Sequence, residues 1–190
     1  MDNYFVDQFF ENLNNQEQTL REAEYDHCEF KHCDFSSFNL SSFVFTDCSF
    51  IGCNLSLAKL NKTAFRGVKF IDCKLMGLSF SNINSIGFSV TFENCVLNHT
   101  SFYQVKMKKT VFKQVSLEEV DFSESDLGES EFFDCNLFGA IFEQSNLEKA
   151  DFRKAYHFKI EPNLNKLKGA KFTINGLPGL LANFKILIEE

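Results

Sequence analysis

From Tyr25 onward a large apolar residue returns every five positions, and this one period decides most of what the chain can become. The series runs Tyr25, Phe30, Phe35, Leu40, Phe45, Phe50, Leu55, Leu60, Phe65, Phe70, Leu75 and Phe80. After a break at residues 81–91 it resumes two residues out of phase at Phe92 and Leu97, then Phe102, Met107, Phe112 and Leu117. It continues through Phe122, Leu127, Phe132, Leu137, Phe142 and Leu147 to Phe152. A period of five drifts steadily around a 3.6-residue turn, so the unit is not helical. Two residues before each large residue stands a second position, mostly small or modest in size, such as Ala23, Cys28, Ala58, Thr63, Thr100, Ser125 or Ala150. A spacing of two puts both on one side of an extended chain. The next inward residue comes three later, which leaves room for a turn. Turn formers stand where this predicts corners, at Ser36, Ser37, Ser41, Ser42, Gly52, Gly67, Gly77, Gly128 and Gly139.

A second period gives the number of sides. Cys28 and Cys48 are twenty residues apart, as are Cys33, Cys53 and Cys73; with a two-residue bulge at 81–91, Cys95 and Cys135 join that face. Twenty residues per coil make four sides. The expected architecture is therefore an all-β, four-sided solenoid over residues 20–156, of about six coils and roughly 30 Å at a strand spacing of ~4.8 Å. Its ends need covers, because stacked coils leave unpaired edges. In residues 1–19, Phe5, Phe9 and Leu13 at helical spacing predict a capping helix over 2–13, with an irregular first coil as the alternative. In residues 157–190, Pro162 and Asn163 mark a loop, and Ala170 and Phe172 supply one more repeat. A short helix over 177–184 has Pro178 in its first turn, and Ile186, Leu187 and Ile188 form an apolar strand. Leu177, Leu180, Leu181, Phe184, Ile186 and Ile188 are the candidate residues for pairing two chains.

The residue types that carry chemistry are present but wrongly placed for it. All seven cysteines occupy the small inward position, which predicts buried thiols acting as small hydrophobes. A zinc site needs four converging ligands, whereas spacings in multiples of five within each register stack these thiols in a ladder, so no metal and no cofactor is expected. His27, His32 and His99 fall at outward corners, and His157 follows the repeat. Phosphate loops, H-E-x-x-H and G-x-S-x-G are absent from the sequence, and an enzyme is not expected. A formal charge of −7 argues against direct binding of nucleic acid, which needs a basic surface. No run of about 18 apolar residues predicts a membrane span. The opening Met1-Asp2-Asn3 does not read as a signal peptide, so the cytoplasm is the expected location.

The charges are unevenly spread. Between Val115 and Glu148 stand ten carboxylates and no Lys or Arg: Glu118, Glu119, Asp121, Glu124, Asp126, Glu129, Glu131, Asp134, Glu143 and Glu148. Solvated faces ordinarily mix signs. This block spans under two coils, ~8 Å of axis, over which duplex DNA carries about five charges. Lys59, Lys62, Arg66, Lys69, Lys74, Lys106, Lys108, Lys109 and Lys113 make the middle basic. The pattern reads as an acidic end beyond a basic middle, and predicts a basic protein partner.

The motif A-(D/N)-(L/F)-x-x, visible at Ala150-Asp151-Phe152 and with Cys in the first place at Cys53-Asn54-Leu55, resembles the pentapeptide-repeat family over roughly residues 20–155. The family fold is the right-handed quadrilateral β-helix. Residues 53–57, 70–77 and 92–98, with Ala155-Tyr156-His157, Ala170-Lys171-Phe172, Leu177-Pro178 and Leu180-Leu181, are similar to its albicidin-resistance branch. The resemblance implies a non-enzymatic mimic of duplex DNA. Such a protein binds DNA gyrase, a type II topoisomerase, and protects it from poisons such as albicidin or quinolones. It also favours a homodimer through the C-terminal segment. Glu118, Glu119, Asp121, Glu124, Asp126, Glu129, Glu131 and Asp134 are then the partner-binding collar. Quinolone-resistance members carry sizeable projecting loops; the break at 81–91 adds only two residues, which leaves an albicidin-type role standing. The alternative is an interaction scaffold with an unrelated protein partner, since fold does not fix function.

Overall fold

A chain that turns every five residues brings residue i beside residue i+20, and the computed structural model, which describes residues 3–14, 20–184 and 186–187, pairs them in that register. One side of the coil is a parallel sheet of β1 (Tyr4–Val6), β3 (Glu24–Asp26), β5 (Val44–Thr46) and β7 (Ala64–Arg66). The next side is an 8-stranded parallel sheet. It stacks β2 (Phe9–Glu11), β4 (Glu29–Lys31), β6 (Ser49–Ile51), β8 (Val68–Ile71), β9 (Val90–Glu93), β10 (Val111–Lys113), β11 (Glu131–Asn136) and β12 (Asp151–Tyr156) in that order. The third and fourth sides are ladders of single bridges. One runs Asn14, Asp34, Asn54, Lys74, Val96, Ser116, Asn136; the other pairs Asn39 with Lys59 and then runs Ser79, Ser101, Asp121, Ile141. On these sides the turn closes on itself, with Phe38 N donating to Phe35 O at 3.0 Å and Ala58 N to Leu55 O at 3.0 Å. The result is a four-sided parallel β-solenoid.

The large inward residues form columns. On the second side the rings stack face to face from Phe10 to Phe172: Phe30–Phe50 centroids lie 4.7 Å apart, Phe70–Phe92 5.4 Å and Phe152–Phe172 5.3 Å. Each stacked pair is worth roughly 0.5–1.5 kcal/mol beyond its buried area. All seven cysteines are buried, as expected, and each thiol also donates to a carbonyl of the preceding coil. Cys53 Sγ reaches Phe30 O at 3.3 Å, as Cys73 reaches Phe50 O. Two hydroxyls in the same position do the same, Thr63 Oγ1 to Leu40 O at 2.7 Å and Ser145 Oγ to Phe122 O at 2.8 Å, whereas Ser125 Oγ finds no partner among the described residues. The small position is thus a donor as well as a spacer.

Corners need a left-handed residue, which L-amino acids other than Gly, Asn and Asp adopt reluctantly. Here His27, Leu57, Lys62, Glu119, Glu124, Lys149 and others take it, with φ between 49 and 68° at non-glycine corners. Gly67 does more than relax that strain, since an added Cβ would lie 2.2 Å from Asp47 Oδ1. Gly128 is not a corner; the left-handed residue there is Glu129.

Both ends differ from the sequence expectations. No helix forms over 3–14. Those residues make β1 and β2, paired Tyr4↔Glu24 and Phe9↔Glu29, with Phe5 stacked on Tyr25 at 5.0 Å and Phe10 on Phe30 at 4.9 Å. Helical spacing of Phe5, Phe9 and Leu13 loses to the backbone ladder, which only an extended first coil can supply, and Phe9 points outward. At the other end α1 (Pro178–Leu181) begins at Pro178 as expected, between 3₁₀ turns Ile174–Gly176 and Ala182–Phe184. Ile186 and Leu187 are not in a strand, and Ile188 lies outside the described residues. The cap has taken the last edge: Ile160 N donates to Gly179 O at 3.0 Å.

The bulge interrupts the first side. Ala64 still bridges to Asn84, and that side resumes at Lys106↔Asp126. The neighbouring sheet stays paired in unbroken register across it, Val68 with Val90 and Phe70 with Phe92.

Candidate protein-binding surface

The collar residues follow from the coil. Outward positions flank each inward residue, and the left-handed corner comes two residues after it. Glu118 therefore sits on the third side, Asp121 on the fourth, Asp126 on the first and Glu131 on the second, while Glu119, Glu124, Glu129 and Asp134 take the four corners, all at positive φ. Eight carboxylates encircle the solenoid within about one turn.

They are not equally available. Glu118 is half-buried between two asparagines: Asn136 Nδ2 donates to its Oε1 at 2.7 Å and Asn98 Nδ2 to its Oε2 at 3.5 Å. Glu119 lies over Gly139, where a Cβ would come within 3.0 Å of its Cγ, and its Oε2 is 3.3 Å from His99 Nδ1. Asp121 accepts from Ser123 N at 2.9 Å. Glu124 takes Tyr103 OH at 3.0 Å and Gln104 Nε2 at 2.8 Å, and the bond to Glu124 raises the Tyr103 phenol pKa. Asp126 faces Lys108 at 3.6 Å and accepts from Asn146 Nδ2 at 2.8 Å; Glu129 faces Lys109 at 4.0 Å. Only the carboxylates of Glu131 and Asp134 have no such partner among the described residues, and both are exposed.

The collar is also not an end. Residues 1–58 hold ten carboxylates and two Lys or Arg; 59–113 hold two and nine; 114–148 ten and none; 149–190 four and eight. The solenoid is banded acidic, basic, acidic, basic. The reading of an acidic end is corrected to an inner belt, followed on the last coils by Lys149, Lys154, Lys159, Lys166, Lys168 and Lys171.

Outward positions carry a second feature besides charge. Phe133, Phe138, Ile141 and Tyr156 are 49, 60, 45 and 43 % exposed in and beside the belt. The doublet Phe132-Phe133 announces it, since the period sends Phe132 inward and so Phe133 outward.

The C-terminal pairing residues divide. Leu177, Phe184 and Ile186 are exposed, whereas Leu180 and Leu181 are half-buried, Leu180 against the last core residues. Histidines stand apart at corners, as expected. Among the described residues the one group able to offer three metal ligands is Asp26, His27 and Asp47, with ligand atoms within 4.8 Å of one another at an exposed corner. No helix among the described residues is long and apolar enough to cross a membrane.

Comparison with known proteins gives one consistent result. A family model described as pentapeptide repeat region matches residues 23–88 and 85–172. Two trypsin-treated variants of QnrB1, a plasmid-mediated fluoroquinolone resistance protein, have similar structures, each at a TM-score of 0.65. One is 17% identical and covers 98% of this chain and 97% of its own; the other is 16% identical, covering 96% and 99%. A search of curated protein sequences finds no match.

Proposed function

We propose, on the premise that this chain belongs to the pentapeptide-repeat family, that it is a non-enzymatic protein of the cytoplasm that binds bacterial DNA gyrase and protects it from a topoisomerase poison such as albicidin or a quinolone. The observation that carries the reading is the belt. Eight carboxylates fall within about one coil, ~4.8 Å of axis, where duplex DNA offers about three charges. The similarity in fold to a fluoroquinolone resistance protein along nearly the whole chain points the same way. Separate corner histidines and the burial of every thiol support the absence of catalysis. The test is a gyrase supercoiling assay with each inhibitor, with and without the protein; protection by stoichiometric protein is the expected result. If gyrase activity and poisoning are unchanged, the reading fails.

The exposed Leu177, Phe184 and Ile186 beyond the last coil support a homodimer through that segment, because closed two-fold pairing is the commonest use of such a patch. Light scattering should give twice the chain mass, and a chain ending at Ala170 should lose that pairing. A second reading, a scaffold for an unrelated protein, is favoured by the two basic bands flanking the belt, which duplex DNA lacks. Recovery of salt-sensitive binding to a non-topoisomerase partner, with gyrase unaffected, distinguishes it.

A further inference from the structure

The coil presents mostly polar residues outward, and around the Asp134 corner it presents exposed rings instead. In the column holding Phe133 the neighbouring coils carry Glu93, Lys113 and Arg153; in the column holding Phe138 they carry Asn98 and Glu118. Phe133 and Phe138 replace charged or polar side chains with half-exposed rings on either side of the Asp134 corner. Tyr156, paired with Asn136 one coil on, adds a third ring, and His157 meets Phe138 edge-on at 6.4 Å.

The backbone is irregular at the same place. β11 and β12 are the six-residue strands, running through a corner where the others stop. Their register slips from Glu131↔Asp151 to Phe133↔Lys154 and returns by Asn136↔Tyr156. Bulges of this kind re-aim side chains and concentrate near binding sites. This one opens a groove of about 470 Å³ on the second side, lined by Glu131, Phe133, Asp151, Arg153, Lys154 and Thr173. A second groove, of about 260 Å³, lies round the corner beside Asp134 and Tyr156. Arg153 is held by Asp151, with Nη2 2.7 Å from Oδ2, so its charge is answered. Of the eight collar carboxylates, the two without partners among the described residues are both here, Asp134 at the corner between Phe133 and Phe138 and Glu131 beside Phe133 on the second side.

We propose that Phe133, Phe138 and Tyr156 around Asp134 form an aromatic anchor for a protein surface that alternates basic side chains with apolar sockets. The proposal rests on the reading that the belt meets a basic partner, and gives that contact its centre. Aromatic residues are enriched in the core of protein interfaces, and a few of them carry most of the energy. A phosphate backbone has no counterpart to these rings, so charge mimicry leaves them unexplained.

The test measures binding of the full chain to purified gyrase over a salt series, comparing wild type, the double variant Phe133→Ser/Phe138→Ser and the single variant Phe138→Ser. Circular dichroism and sedimentation check fold and mass for each. The double variant should bind about tenfold or more weakly, with the slope of affinity against salt unchanged because no charge is lost. The single variant should show part of the same loss, and stands in if the double variant does not fold. Wild-type affinity in folded variants overturns the anchor while leaving the gyrase reading intact. No binding by wild type overturns both. A variant that changes from dimer to monomer shows that the rings face a second copy of this chain, which also overturns the proposal.

Discussion

The basic band at 59–113 and the acidic belt at 114–148 are opposite in charge and nearly identical inside. In the band Phe70 stacks on Phe92 at 5.4 Å and 11°; in the belt Phe122 stacks on Phe142 at 5.1 Å and 18°. Cys73 Sγ donates to Phe50 O at 3.3 Å, and Cys135 Sγ to Phe112 O at 3.4 Å. Left-handed corners occur in both, on Lys62 and Lys109 as on Glu124 and Glu129. The interior is therefore indifferent to what the exterior carries. Inward positions specify the coil, and outward positions are free to be chosen for a partner, which is why fold and function separate so cleanly here.

Breaking the shared interior should have the largest effect. Phe70 is 1% exposed, with rings of Phe50 and Phe92 stacked on its two faces at 5.2 and 5.4 Å. Phe70→Asp places an unpaired charge in that column and should abolish folding, since the penalty exceeds about 4 kcal/mol in a protein of ordinary stability. Soluble, fully folded Phe70→Asp protein, judged by circular dichroism and a cooperative melt, would overturn the inward phase assigned to the series.

Reversing exterior charge should spare the fold and separate the two regions by function. Glu124, Glu129, Glu131 and Asp134 replaced by Lys should abolish protection of gyrase and flatten its salt dependence, while the melting temperature moves by only a few degrees. Glu118 is left out of this set because it is clamped between Asn98 and Asn136, and its loss would unsettle the third side. Lys59→Glu with Lys62→Glu, in the basic band, should change protection much less. Equal loss from both sets would mean that the banding as a whole, rather than the belt, is what the partner reads.

The columns were legible because period five and period twenty are both written in residue type. The first coil was equally written, since Phe5 and Phe10 continue the phase of Tyr25 and Phe30, but over so short a stretch Phe5, Phe9 and Leu13 also satisfy a helix. Backbone pairing decided between them, and residue type does not report it. Corners were legible where Gly, Ser or His marked them; Leu57, Lys62 and Glu119 adopt the left-handed form because four-sided closure demands it. In the belt, composition located the carboxylates, whereas their ties to Lys108, Lys109 and His99 require the coil register. The reversal of sign after Lys149 was readable by continuing the count to the end of the chain.

The smallest effect expected is a pH dependence confined to the first coils, where the acidic N-terminal band touches its own histidine. His27 Nδ1 lies 2.8 Å from Asp26 Oδ1, and Tyr4 OH donates to Asp26 Oδ2 at 2.9 Å, tying β1 to β3. The bond to Asp26 and its charge raise His27 above its ordinary 6.5, with Asp47 and Asp7 adding to it. The bonds from Tyr4 and His27 hold Asp26 below its ordinary 3.8. A raised imidazole contributes stability that is whole below 6.5 and fades as pH climbs through its folded value; a lowered carboxyl contributes above 3.8 and fades as pH falls through its own. The ion pair is thus fully engaged between 3.8 and 6.5. Amide protection factors at Tyr4–Val6 and Glu24–Asp26 should then be higher near pH 5 than near pH 9. His27→Asn, which keeps a residue tolerant of the left-handed corner, should erase that difference and leave protection at pH 9 unchanged, because the Tyr4 tie does not depend on the imidazole. Protection that is flat across this range in the wild type would show that solvent screening at an exposed corner cancels the pair, and that the first coil is held by its ring stacking and its ladder alone.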